Sequence, residues 1–337
     1  MVELLGLVLI SFFITSFLLI PFIDYLFAVK QRQSQTNSSE SVVLRDTPIH
    51  NLLLSGKDKE TPVGGGILMI IVVTILSIIS SFLFNLNFRE MSILLFALLS
   101  FGSIGFMDDV KKVMTRFSGK FSGLRARYIF GLQLILAFSV ATALFNLLGL
   151  NNIFIPIFGN VILGYWYIPL AAFAIVSFTN AYNISDGLDG LSSGLLLICL
   201  FAFLVLAHAS LDLTLSSFIG IWIGSLIAYL YFNVYPARIY LGDAGAFGFG
   251  ATLALVGLLT GKIIGLGVIG GVYVIIIASS LLQIFFKRVY KRKLIAVAPI
   301  HMFLKYVGWE EPKIVTRFWL AGIIFAILGL WLSFMSH

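Results

Sequence analysis

The chain repeats one pattern from end to end: apolar runs of about 17–25 residues, each long enough as a helix to cross roughly 30 Å of hydrocarbon, separated by short polar stretches. In hydrocarbon every backbone N–H and C=O must be paired within the protein, which leaves helices and closed barrels. A barrel would show short segments of alternating character. Runs such as MSILLFALLSFGSIGFM do not alternate. Composition agrees, with 60% hydrophobic and 11% charged residues, where an ordinary soluble domain has about a quarter charged. The expected fold class is all-α: a polytopic helical integral membrane protein with about ten transmembrane helices.

Spans are expected at about 4–28, 64–84, 91–107, 126–148, 164–182, 188–207, 214–235, 243–260, 264–286 and 316–334. An even number puts both termini on one side. Twenty of the 22 Lys and Arg residues then fall on the opposite side, and only Arg89 and Lys262 stay with the termini. The positive-inside rule makes the basic side cytoplasmic. Its loops are about 29–63, 108–125, 183–187, 236–242 and 287–315, and residues 1–337 read as a single transmembrane domain. The net charge of +7 is then a matter of topology and of anionic membrane lipids, with no nucleic acid implied. The first run lacks the basic front and the cleavage site of a signal peptide, so it reads as a spanning helix. QRQSQTNSSESV, in the first loop, reads as a polar, mobile stretch. Cys199, the single cysteine, excludes an internal disulfide and a thiolate cluster and reads as a small packed hydrophobe.

Asp contributes little to orientation, so acids at the basic face need another account. Asp108 and Asp109 close the third run, with Lys111 and Lys112 behind them. Adjacent carboxylates on a helix point about 100° apart, so one can hold a cation while the other meets a second ligand or accepts a proton. A solvated helix end is the alternative. NAYNISDGLDG spaces Asn180, Asn183, Asp186 and Asp189 three apart. Oxygen ligands at that density suit a hard cation, or else cap a helix start. Asn233, Pro236, Arg238, Gly242, Asp243 and Gly245 form a third group. Its glycines let backbone approach a phosphate or cation, or simply make a turn. His301 could orient a phosphate or exchange a proton, or pack in its loop, and His50 lies on the same side. The strength is in the convergence. Asp108, Asp109, Asp186, Asp189 and Asp243 all fall at the cytoplasmic boundary, while the outward loops hold only scattered acids such as Glu90 and Asp212.

In order along the chain stand TPVGGG (61–66), GFMDDVKKV (105–113), GLRARYIFGLQ (123–133), NAYNISDGLDGLSSG (180–194), FNVYPARIYLGDAGAFGFG (232–250) and PIHMFLKYVGWEEPKIVTRFW (299–319). This set resembles the polyprenyl-phosphate phosphosugar transferase superfamily over nearly the whole chain. GWEEPKIVTRFW favours its phospho-N-acetylmuramoyl-pentapeptide transferase branch. The resemblance implies Mg²⁺-dependent transfer of phospho-MurNAc-pentapeptide from its UDP carrier to undecaprenyl phosphate, giving lipid I and UMP in peptidoglycan synthesis. It also implies a homodimer in the bacterial inner membrane, multi-pass, with the active site on the cytoplasmic face. Carried over by residue, it makes Asp108, Asp109, Asp243 and His301 catalytic. Asp243, Asp108 and Asp109 become the metal set. Lys112, Arg125, Arg127, Asn183, Asp186, Asp189 and Asn233 become substrate-binding, with Asp189 linked to uridine recognition.

Two positions depart from that pattern. The family has three consecutive histidines where this chain reads His301-Met302-Phe303, and a lysine near Ile129. Neither Met302 nor Phe303 supplies an imidazole, while Arg125 or Arg127 offers a charge near the second position. Transfer from UDP-GlcNAc to the same lipid is the competing reading, with a membrane transporter further behind.

Overall fold

The computed structural model of the chain describes residues 2–36, 61–117 and 123–335. Residues 37–60, with Arg45, His50, Lys57 and Lys59, lie outside the described residues, as do 118–122 with Lys120 and the terminal His337. The apolar runs become helices: α1 (Val2–Thr36), α2 (Gly65–Leu83), α3 (Phe88–Phe117), α4 (Ala126–Leu148), α5 (Tyr167–Ser185), α6 (Leu191–Ala209), α7 (Leu213–Asn233), α8 (Asp243–Leu259), α9 (Ile263–Ile269), α10 (Gly271–Val289), α11 (Ile300–Tyr306) and α12 (Glu311–Phe334). Among the described residues nine helices are long and apolar enough to cross a membrane, and α8 adds a shorter apolar helix of 17 residues. The chain is a multi-pass helical membrane protein.

The shortness of α8 follows from its place. Every residue from Ala244 to Leu258 is buried, because α2, α3 and α5 pack around it. A helix enclosed by others need not match the lipid on any side. It is correspondingly rich in Gly and Ala, which let neighbouring backbones come close where no hydrophobic drive separates lipid from protein. Around this centre the outer helices expose large apolar side chains, such as Phe13 (63%) and Phe17 (78%) on α1. That is the burden a hydrocarbon-facing surface carries. Cys199 is buried, as expected of a packed hydrophobe.

Three details differ from the expected spans. The third helix does not stop at residue 107; α3 runs on to Phe117. The acidic pair is therefore inside a helix rather than in the expected 108–125 loop. Asp108 and Lys112 form an i,i+4 pair there, which supports the added turns. The expected span 264–286 is broken into α9 and α10 at Gly270, in a run, GLGVIGG, where each glycine costs about 1 kcal/mol of helix propensity. Between α4 and α5 the stretch 152–162 forms an antiparallel hairpin, β1 (Asn152–Ile155) with β2 (Gly159–Ile162), Asn152 opposite Ile162. Its β-branched residues and Gly159 suit that local structure.

Candidate active site

At one end of the bundle two chain segments are laid together by backbone bonds. Tyr240 N donates to Pro62 O (2.9 Å), Gly64 N and Gly65 N donate to Tyr240 O (3.0 Å each), and Gly66 N donates to Leu241 O (2.9 Å). Thr61 Oγ1 donates to Ala237 O (3.1 Å), and Lys30 Nζ to Thr61 O (2.8 Å). These bonds turn TPVGGG and the 237–241 segment into one strap across the ends of α1, α2 and α7. The strap delivers the chain to Gly242, whose φ of +84° is strained for any residue with a Cβ. From there α8 begins at Asp243.

The start of α8 is pressed against α3. A Cβ on Gly105 would lie 2.0 Å from the Asp243 carbonyl oxygen, so only glycine permits this approach. One turn further along α3 the paired acids reach the same point. Asp109 Oδ2 accepts from Ala244 N (3.1 Å). This caps α8 from another helix and sets a carboxylate at the positive end of its dipole. Asp108 points elsewhere, as adjacent helical residues must. Its Oδ1 accepts from Leu124 N (2.5 Å), and its Oδ2 pairs with Lys112 Nζ (2.7 Å). Lys112 Nζ also donates to Asp243 Oδ2. One ammonium is thus shared by two carboxylates, one four residues before it on α3 and one 131 residues after it at the start of α8.

These groups line a cavity of about 540 Å³, together with Asn183, Asp186, Ile129, Tyr240 and Phe247. Asp186 is the C-cap of α5, and Ser192 Oγ donates to its Oδ1 (2.5 Å). The remaining residues of the central motif face away from the cavity, into the frame. Asp189 Oδ2 accepts from Ala237 N (3.1 Å), and Asp189 N donates to Glu311 Oε1 (2.7 Å). Glu311 Oε2 in turn pairs with Lys305 Nζ (2.7 Å). Asn233 accepts from Gly190 N (3.2 Å) and Ser193 Oγ (3.1 Å) and donates to Ile239 O (3.0 Å). His301 is buried beside Gly187, whose Cβ would lie 3.0 Å from Nε2.

The Glu311 carboxylate therefore ties α11 and α12 to the loop between α5 and α6. Its side chain and that of Lys305 are only 6% and 18% exposed. Glu311→Ala leaves an N–H and an ammonium without their acceptor and is expected to cost about 2–4 kcal/mol. Glu311→Gln keeps an oxygen for Asp189 N and is expected to cost about half that. Thermal unfolding in detergent distinguishes the two; equal losses would mean that the backbone bond is unimportant.

Comparison with known proteins bears on the same residues. Residues 91–261 match the model of Glycosyl transferase family 4, a stretch that runs from the start of α3 past the end of α8. The phospho-N-acetylmuramoyl-pentapeptide-transferase of Syntrophus aciditrophicus is 32% identical over 308 residues, covering 86% of this chain and 83% of its own. That of Desulfosudis oleivorans is 34% identical over 288 residues, 80% of this chain and 79% of its own. That of Leptospira biflexa is 30% identical over 350 aligned positions, 95% and 90% of the two chains. This chain belongs to the phospho-N-acetylmuramoyl-pentapeptide-transferase family.

Against that family assignment, the structure sorts the residues singled out in the sequence. Asp108, Asp109, Lys112, Asn183, Asp186 and Asp243 share one cavity. Asp189, Asn233 and His301 stand behind it, buried. Arg125 precedes α4 and Arg127 lies on its first turn, Arg127 against Tyr128 (5.0 Å from guanidinium to ring). Both arginines are exposed and outside the cavity lining. Val63, Tyr240 and Phe247 complete the wall and Glu311 stands behind it, though none of them is among the residues singled out in the sequence. Glu311 did leave a trace, as one of two adjacent acids in a stretch otherwise rich in aromatics and bases.

The Mg²⁺ implied by the family resemblance can be tested against the donors. Four carboxylates, Asp108, Asp109, Asp186 and Asp243, line one cavity, hard oxygen ligands of the kind Mg²⁺ takes. Among the described residues no three His, Cys, Asp or Glu side chains are grouped to hold a metal by themselves. Mg²⁺ does not require that, since it commonly keeps several waters and one or two carboxylates. The ammonium held between Asp108 and Asp243 shows that a positive charge is favoured at this point. The residues fit the ion.

Proposed function

We propose that this protein transfers phospho-MurNAc-pentapeptide from UDP-MurNAc-pentapeptide to undecaprenyl phosphate, releasing UMP and forming lipid I for peptidoglycan. The observation that carries the reading is Lys112 held between Asp108 and Asp243 at the mouth of the bundle, in a chain similar to these transferases over most of its length. The cavity end carries most of the basic residues and so faces the cytoplasm; the protein sits in the inner membrane as a homodimer.

Both substrates are anionic, so the first task of the site is to let two phosphates approach. Lys112 does this directly, by turning its ammonium from the carboxylates toward the incoming phosphate oxygens. An oxygen of the lipid phosphate attacks the phosphorus that bears the sugar. The bond from that phosphorus to the UMP oxygen breaks, and UMP leaves with the electron pair. The lipid phosphate is already ionised near neutral pH, so no strong side-chain base is needed. Asp243, with Asp108 or Asp109 beside it, would hold Mg²⁺, which would neutralise charge on the diphosphate and on departing UMP. Asp109 keeps α8 in place by capping it, which fixes the height of Asp243 in the cavity. Asn183 and Asp186 offer hydrogen-bond partners to the nucleotide or sugar on the opposite wall. His301 and Asp189 support that wall from behind.

The test is an assay of the purified protein with undecaprenyl phosphate, Mg²⁺ and either UDP-MurNAc-pentapeptide or UDP-GlcNAc. Lipid I is expected from the first donor only. Product from UDP-GlcNAc alone would assign the protein to the other branch, a donor change for which Met302 and Phe303 would be the first residues to exchange for histidine. In the same assay Asp243→Asn is expected to lower kcat roughly 10²–10³-fold.

A further inference from the structure

Outside the acidic cavity, a second hollow of about 320 Å³ opens between α1 and α7. Ile20, Ile23, Tyr231 and Phe232 form its apolar wall, and Asp24 and Arg238 line it with opposite charges. Asp24 belongs to the apolar span of α1, which runs from Val2 to Lys30. It stands six residues before Lys30, about 9 Å along the helix. A carboxylate at that depth is costly unless a cation meets it. Yet neither Asp24 nor Arg238 forms an ion pair or a side-chain hydrogen bond with any described residue. The Arg238 guanidinium lies 6.0 Å from the Phe232 ring.

Two opposite charges that share a hollow without pairing are complementary to a ligand carrying both signs. The guanidinium suits a phosphate, and the carboxylate suits an ammonium with N–H donors. The apolar wall supplies the third element. Phe13, Phe17, Ile20 and Asp24 follow one another at helical spacing, and the three apolar members are exposed toward the bilayer. Tyr25 and Tyr231 are exposed beside them, as aromatic residues are at a membrane interface. We propose that this hollow binds one zwitterionic aminophospholipid, with its phosphate at Arg238, its ammonium at Asp24 and an acyl chain along Ile20 and Phe17. Arg238 is in the strap that leads to Asp243, so this lipid sits beside the reaction cavity and outside it.

The experiment is lipid retention by the full-length protein, read by native mass spectrometry after reconstitution with phosphatidylethanolamine, phosphatidylcholine or phosphatidylglycerol. The three share a phosphate; only the first has an ammonium with N–H donors. Phosphatidylethanolamine is expected to be retained about tenfold over the other two, the equivalent of one charge-assisted hydrogen bond. Asp24→Asn is expected to erase its advantage over phosphatidylcholine, and Arg238→Gln to weaken retention of all three. Equal retention by the unmodified protein overturns the proposal without recourse to any variant. So does a preference for phosphatidylglycerol, which would mark an anion site made by Arg238 alone. An unchanged preference in Asp24→Asn, or a dimer that covers this face of α1 and holds no lipid there, overturns it as well.

Discussion

Lys112→Met is expected to lower kcat by about a thousandfold and to leave the protein inserted and folded. Methionine has nearly the length of lysine and the same helix propensity, so α3 keeps its course. What disappears is the ammonium shared by Asp108 and Asp243. Two carboxylates brought within about 4 Å at an effective dielectric constant near 20 repel by about 4 kcal/mol. A term of that size in the barrier corresponds to roughly three decades in rate. The charge that draws in the substrate phosphates is lost with it. Lys112→Arg restores the charge but on a wider, planar head, so partial recovery is expected. Steady-state kinetics with both substrates provide the check. A Lys112→Met protein within threefold of the parent would remove this lysine from the proposed chemistry.

Gly105→Ala is expected to cut activity by about a hundredfold through geometry alone, since no charge is touched. The added methyl would lie 2.0 Å from Asp243 O, 2.3 Å from Asp243 C and 2.5 Å from Ala244 N. All three are backbone atoms at the start of a buried helix, and none can rotate away. The two helices must part, which costs about 1–3 kcal/mol in overpacking. Separation of about 1 Å moves Asp108 and Lys112 on α3 away from Asp243 on α8, and a misplacement of that size is worth about 10² in rate. The control is Gly131→Ala on α4, where a Cβ meets nothing within 4 Å. That variant is expected to unfold at the same temperature as the parent or slightly higher, because alanine is the better helix former. Thermal unfolding and product formation, measured on both variants, separate the two effects. Full activity in Gly105→Ala would show that the contact between α3 and α8 can relax without moving the acids.

Much of this protein is legible in its sequence. Run length alone yields helices, because backbone groups in hydrocarbon have no partner outside their own segment. The sorting of basic residues marks one end of the bundle, and the acids of three distant segments fall at that end. Asp108, Asp186 and Asp243 do share a cavity there. The limit of such reading appears within NAYNISDGLDG. Asp186 and Asp189 are three residues apart, yet Asp186 lines the cavity while Asp189 is buried and accepts from Ala237 N. Their facing depends on where α5 ends and on the strap beneath it, and neither is a local property.

The chain by itself determined the helices, the polar end and the residue types gathered there, since burial in lipid and the sign of charge act on each segment separately. Only the tertiary structure decided which of those residues face one another. A surface helix announces its inner face by amphipathic periodicity, but α8 is apolar all round because it is enclosed, so its sequence carries no mark of what lies opposite. The Lys112–Asp243 bond spans 131 residues, and it exists because Gly105 lets α3 lie against the first turn of α8.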